Sequence, residues 1–502
     1  MVCRSLHAAA SWSWPMRTIH FLLLAIVLLR SQGSFSQNSS QPIKLGSIIV
    51  HGSLRSRAEL WDWFQGTEGD GSYAFSGNLL RISFSQQRDT LEWQFELGAP
   101  ILLGLPQNAV APGAQGLLGM GANYFVANDS ARNTAMIYPK QAFVRFKNLF
   151  GSKAQSLKLG RFQFSDGAEV TPANSTLASL KRDRINQRLI GPFGFTHVER
   201  SFDGFHYVFN QPKTNVTLVG ALPTRGVFQV DGWGVMRVGF LYASVTRSMV
   251  GKKNASEWRA LGMYYDDWRH ILKTDNRPLA IRRNDLANLR IGNFGGHYLY
   301  TAETSPGTFD LLIWGMLQTG KWGFQDHRAG AVSLEGGWQP KLLTSLRPWL
   351  RAGYFYGSGD GNPLDNTHNT FFQLLPTPRP FARFPFFDLI NNRDIFGMLI
   401  LRPHKAVTVR HEFHALRLAQ RDDLWYLGGG AFQPWTSGYT GRPVNQYRSL
   451  ANLYDISADY QINPSVSVTG YFGYAQGKAA PAGIYSLDRN GRYAYVEMNY
   501  KF

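Results

Sequence analysis

Seven basic residues fall on the polar face of alternating segments: Arg55, Arg57, Arg81, Arg145, Lys147, Arg351 and Arg410. A guanidinium stays charged at any ordinary pH and pairs bidentately with a carboxylate. A row of such groups along a passage offers an anionic solute fixed positive charge in place of lost hydration, if each contact still allows release. The structural alternative is an ordinary wall, with each cation paired across strands to Glu92, Glu96, Glu412, Asp455, Asp459 or Glu497. Other chemistry is thin. His411-Glu412-Phe413-His414 lacks the spacing of a helical zinc motif, and on a strand its two histidines point to opposite faces. Asp360-Gly361-Asn362 with Asp365 offers oxygen ligands but misses the calcium-loop spacing, so neither metal nor cofactor is expected. Asp422-Asp423 with His414 is the one hint of an enzyme. No Gly-x-Ser-x-Gly or phosphate loop accompanies it, so catalysis is not expected.

Period-two alternation is what positions these residues. Arg492–Phe502 puts Ala494, Val496, Met498, Tyr500 and Phe502 on one face, and Tyr493, Tyr495, Glu497, Asn499 and Lys501 on the other. About ten alternating residues is the length of a transmembrane β-strand. The hairpin at Leu79–Leu97 repeats the pattern. With Arg88-Asp89 as a two-residue turn, Leu80, Ile82 and Phe84 face Leu97, Phe95 and Trp93, while Arg81 faces Glu96. The same alternation predicts eighteen strands, with sixteen as the alternative. They span 47–57, 77–87, 90–99, 138–148, 156–164, 199–210, 215–223, 235–246, 257–266, 296–304, 308–318, 328–338, 346–356, 394–402, 405–416, 449–461, 465–475 and 492–502. The fold class is therefore all-β, a transmembrane antiparallel barrel with short periplasmic turns, long outer loops and an aqueous lumen. Segments 100–137 and 165–198 read as long loops, and Leu157–Arg161 keeps its parity only if Gly160 marks a bulge.

Composition agrees. Aromatic residues make up 14% of the 502, with 51 glycines, as aromatic girdles and tight turns require. The single cysteine is Cys3, which removes disulfides and thiolate chemistry from the rest of the chain. Residues 1–36 read as a signal peptide with the apolar core Ile19–Leu29, and 37–502 as one barrel domain; Met1 and Met16 are alternative starts. The formal charge is +18, but the basic residues are spread one or two per strand rather than clustered, which argues against nucleic acid and for a basic lumen.

Several blocks resemble the alginate export family of outer-membrane porins. They are Gly357–Pro363, Asn369–Arg379, Ala382–Phe387, Asp423–Tyr426 with Gly428–Gln433, Leu157–Phe162, Arg184–Phe193 and Arg200–Gly204. The resemblance implies a monomeric barrel in the bacterial outer membrane with an arginine-lined constriction, passing an anionic uronic-acid polysaccharide out of the periplasm. It adds Arg161 and Arg200 to the candidate path. Expected partners are that polysaccharide or an acidic sugar, outer-membrane lipid and lipopolysaccharide, and the barrel-assembly machinery through the last strand. The loop 357–393 is dense in aromatics and prolines, and makes Phe371, Phe372, Arg379 and Arg383 candidates for a gate. A general anion-selective diffusion or uptake porin for small acidic solutes is the alternative, since the same basic lumen serves it.

Overall fold

Each alternating segment has one apolar and one polar face, and eighteen of them pair edge to edge until the last meets the first. The computed structural model describes residues 43–377 and 382–502, so the predicted leader lies outside the described residues. The first six strands are β1 (Ile48–Asp62), β2 (Ser72–Gln87), β3 (Leu91–Leu103), β4 (Tyr138–Lys147), β5 (Gln155–Phe162) and β6 (Phe202–Asn210). The next six are β7 (Thr214–Pro223), β8 (Val238–Val250), β9 (Asn254–Asp267), β10 (Leu289–Glu303), β11 (Gly307–Trp322) and β12 (Gln325–Pro340). The last six are β13 (Trp349–Gly357), β14 (Asn392–His404), β15 (Val407–Leu418), β16 (Ser449–Gln461), β17 (Val466–Gly477) and β18 (Gly491–Lys501). Every neighbour is antiparallel, and β1 pairs with β18 from Ser53–Lys501 to Asp62–Arg492. Closure leaves the barrel without a free edge. All eighteen predicted strands are present.

The ends depart from expectation on the long-loop side, where β10 begins at Leu289 and β1 runs on to Asp62. There the inward residues Trp61 and Ile291 are buried under loops, so the polar–apolar contrast that marks a strand is lost. The hairpin register also differs. Ser83 faces Glu96 and Ile82 faces Leu97, a slip of two residues from the predicted pairing. The turn keeps its two-residue width but moves one residue along: the Arg88 amide donates to the Leu91 carbonyl, which leaves Asp89 and Thr90, not Arg88 and Asp89, at the tip. A slip of two keeps every side chain on its face. The Gly160 bulge is corrected too: the β4–β5 ladder runs through Gly160 unshifted, with φ of +117° and the Ala142 carbonyl where a Cβ would go. The irregularity lies instead in β4, between the pairs Gln141–Glu96 and Pro139–Leu97. It turns Lys140 inward beside Gln141.

The lumen is largely filled. Loop 104–137 carries helix α1 (Met120–Ala127), and loop 163–201 carries α2 (Ser175–Leu180) followed by a π-turn over Lys181–Ile185. Asn174 starts α2 by accepting from the amides of Thr176 and Leu177 at 3.0 and 3.1 Å. Segments 358–377, 382–391 and 419–448 complete the filling, the last with a hairpin of Trp425–Gly428 and Tyr439–Arg442. Inward Leu312, Trp314 and Met316, which blur the polar face of β11, are buried against these loops, with Trp314 edge-on to Phe371.

Candidate channel and its constriction

The segment 163–201 is held inside the barrel by buried carboxylates, each serving several cations. Glu335 of β12 receives Arg184 at 2.9 Å, Arg188 at 3.1 Å and the wall's own Arg351 at 3.1 Å. Glu257 of β9 takes Lys181 at 2.7 Å and His297 at 3.0 Å. The loop's Asp166 returns the contact to wall Arg259 at 3.4 Å. Glu199 closes the far end of the loop, reaching Lys140 at 3.3 Å, Arg81 at 3.6 Å and Arg55 at 3.7 Å. Burial works against the Glu199 charge, yet Lys140, Arg81 and Arg55 hold its carboxyl below the usual range. Beside it, burial pushes His197 down to about 4, so the neutral ring meets Glu59 at 3.1 Å. Burial likewise pulls the Arg188 guanidinium down to about 10, against the attraction of Glu335. Removing one partner from such a cluster leaves a buried charge uncompensated.

Between this loop and the wall lies an open space of about 430 Å³. Six arginines line it (Arg55, Arg57, Arg182, Arg184, Arg383 and Arg410) against the three acids Asp183, Glu412 and Glu497. Phe195 and Tyr495 supply aromatic faces, and the Arg57 guanidinium sits over both, 4.3 and 4.9 Å from the ring centres. The wall residues come from the short-turn half of the barrel. A second space of about 590 Å³ lies at that same end, between α2 and the turn 341–348, with Arg347, Arg402 and Trp349 in its lining.

The predicted residues divide. Arg55, Arg57, Arg383 and Arg410 come together at this cavity. Arg81 and Arg145 face inward on the wall, paired with Glu96 at 2.6 Å and Glu92 at 3.2 Å, and Lys147 follows Arg145 on the same face. Arg81 reaches Glu96 diagonally rather than straight across. Four expectations are corrected. Arg161 lies on the outward side of β5, bound to Asp203 at 2.7 Å and to the Gly232 and Trp233 carbonyls, because inward parity there belongs to Lys158 and Phe162. Arg200 is wholly buried and donates to the Gly429 carbonyl, away from the cavity. Arg351 is buried between Asp310 and Glu335, where it anchors the loop. Phe371 and Phe372 are not a gate; they are core residues packed on Trp314, Trp322 and Tyr265. Arg379 falls outside the described residues. The residues missed as cavity lining are Arg182 and Arg184, and their signal was the basic run Lys181-Arg182-Asp183-Arg184 at the start of the family-like block Arg184–Phe193, in a segment otherwise read as loop.

A closed barrel is shared by many chains, but one comparison decides the family. The model of the alginate export family matches residues 127–480. The chain belongs to that family. The match takes in the constriction loop, the loop 358–391 and every cavity arginine except Arg55 and Arg57. Solved outer-membrane proteins share the fold. OpdK of Pseudomonas aeruginosa superposes with a TM-score of 0.52 at 9% identity, covering 90% of this chain and 98% of its own. OccAB2 of Acinetobacter baumannii gives 0.56 at 9% identity, covering 91% and 99%. No curated protein matches the chain. Fold and family together make this member of the alginate export family an outer-membrane porin-type barrel.

Proposed function

We propose that the barrel is an anion-selective channel passing an acidic, alginate-like polysaccharide from the periplasm to the exterior. The observation that carries this reading is the cavity with six guanidiniums against three carboxylates. In a narrow passage, guanidiniums that exchange their wall carboxylates for those of the solute replace the hydration that a uronate carboxylate gives up. Short turns of outer-membrane barrels face the periplasm. The open spaces then lie on the periplasmic side and the filled half outside, which suits collection of an anion before export. Arg55, Arg57, Arg383 and Arg410 are the path residues favoured, with Arg182 and Arg184 added from the loop. The barrel itself is proposed to carry no catalytic role and to work as a monomer among outer-membrane lipid and lipopolysaccharide, inserted by the assembly machinery through β18.

The second reading is uptake of small acidic solutes. A space of about 430 Å³ is the size of a single small ligand. OpdK, which shares the fold, has been solved with vanillate. Conductance across planar bilayers separates the readings. Anion selectivity with block by oligouronate supports the exporter, whereas selectivity with block only by small carboxylates supports uptake. Equal passage of potassium and chloride overturns both.

A further inference from the structure

Behind Glu412, one of the acids lining the cavity, further carboxylates gather around a histidine. Glu412 and Asp455 stand directly opposite each other on β15 and β16. His414, two residues along on the same inward face, is completely buried. One ligand-type atom from each of Glu412, His414 and Asp455 lies within 4.8 Å of the others. His414 is also oriented. Its Nδ1 is 2.7 Å from Asp394 of β14, and its Nε2, which has no hydrogen-bond partner, faces Glu412 at 3.5 Å. Rings of Phe396 and Phe387 pack beside the imidazole at 5.7 and 6.4 Å, which keeps water from the site.

A carboxylate on Nδ1 takes up that N–H and aims Nε2 at Glu412, which is the usual support of a metal-binding histidine once a metal displaces the proton on Nε2. We propose that Glu412, His414 and Asp455 form a divalent metal site in the channel wall, with Asp394 as the positioning residue. One imidazole nitrogen with two carboxylates selects a zinc-class ion over calcium or magnesium, which prefer oxygen alone. Metal–ligand distances of about 2.0–2.2 Å draw the three atoms closer than they now stand. Tyr471 donates to Asp455 at 3.3 Å and holds the second carboxylate. Because Glu412 also lines the cavity, a bound ion lies one side chain from the passage and cancels the negative charge of these carboxylates. The site does not depend on what the channel carries.

The competing occupant of the space between Nε2 and Glu412 is a proton. Titrating full-length, chelator-stripped protein in detergent with zinc chloride distinguishes the two. The expected result is one zinc per chain, with calcium failing to compete. Glu412→Gln is expected to weaken uptake at least 10-fold and Asp394→Asn by about 10–100-fold, while His51→Ala leaves it unchanged. X-ray absorption at the zinc edge of the wild type needs no variant to fold, and is expected to show one imidazole nitrogen among oxygen ligands. No stoichiometric uptake, uptake indifferent to Glu412→Gln and Asp394→Asn, or coordination by several imidazoles overturns the proposal.

Discussion

Arg57 on the first strand and Glu497 on the last face each other across the closing seam, with Nη2 and Oε2 2.6 Å apart. Arg57 also meets Glu59 at 3.2 Å and is only 3% exposed. The join of the barrel therefore rests on a buried ion cluster as well as on the backbone ladder. Replacing Arg57 with alanine strands two carboxylates and is expected to cost about 3–5 kcal/mol. Urea unfolding in lipid vesicles checks this. The double variant with Glu497→Ala should recover part of the loss, and strictly additive losses would show that the two residues do not cooperate.

The anchoring of the constriction loop is open to a separate test. Glu335→Gln keeps the volume but removes the charge shared by Arg184, Arg188 and Arg351. The loop is expected to loosen, with larger and noisier single-channel conductance and faster proteolysis between 163 and 201. Unchanged conductance would mean that the loop is held by its apolar contacts alone.

Selectivity should follow the corrected placements. Neutralising Arg55, Arg383 and Arg410 together is expected to lower the chloride-to-potassium permeability ratio several-fold, read from reversal potentials. Arg161→Ala and Arg200→Ala are expected to leave the ratio unchanged, because one lies on the outer side of β5 and the other is buried against Gly429. An equal effect from all five would refute the assignment of the path.

The outer loops carry a pH dependence. Burial raises Asp423 to about 6, and Asp360 likewise to about 6. The Asp360 amide and the Thr370 hydroxyl donate to Asp423 at 2.9 and 2.6 Å, tying loop 358–391 to loop 419–448. Carboxyls with raised values bind more protons in the packed loops than in the released chain. Their contribution is complete below pH about 4 and is lost as pH rises through 6. Hydrogen exchange at 358–377, corrected for intrinsic rate, should be slower at pH 5 than at pH 7. Asp423→Asn should flatten that difference.

Strands were legible because lipid outside and water inside impose a two-residue period on the chain. Tyr454, Ile456 and Tyr460 are exposed on the outer side of β16 while Asp455 and Ser457 are buried inside, as their alternation implies. Legibility failed where protein replaced water in the lumen. Leu312, Trp314 and Met316 are apolar because loops cover them, and Phe371 and Phe372 are among the residues doing so. The site was half legible for the same reason. Arg55, Arg57 and Arg410 sit on regular strands and were placed by parity, whereas Arg182 and Arg184 sit on a π-turn whose inward fold has no periodic trace. Lys140 was hidden differently, since a bulge reversed its parity.

The run 181–188 narrows the lumen and at the same time brings Lys181, Arg182, Arg184 and Arg188 into it. Obstruction and field thus travel on one short piece of chain. Excising it would widen the bore and, in the same stroke, uncover Glu257 and lighten the counter-charge on Glu335. Such a barrel would admit larger solutes while turning away fewer cations. A lineage seeking a new cargo need therefore rewrite only this insert, leaving the eighteen staves of the cask untouched.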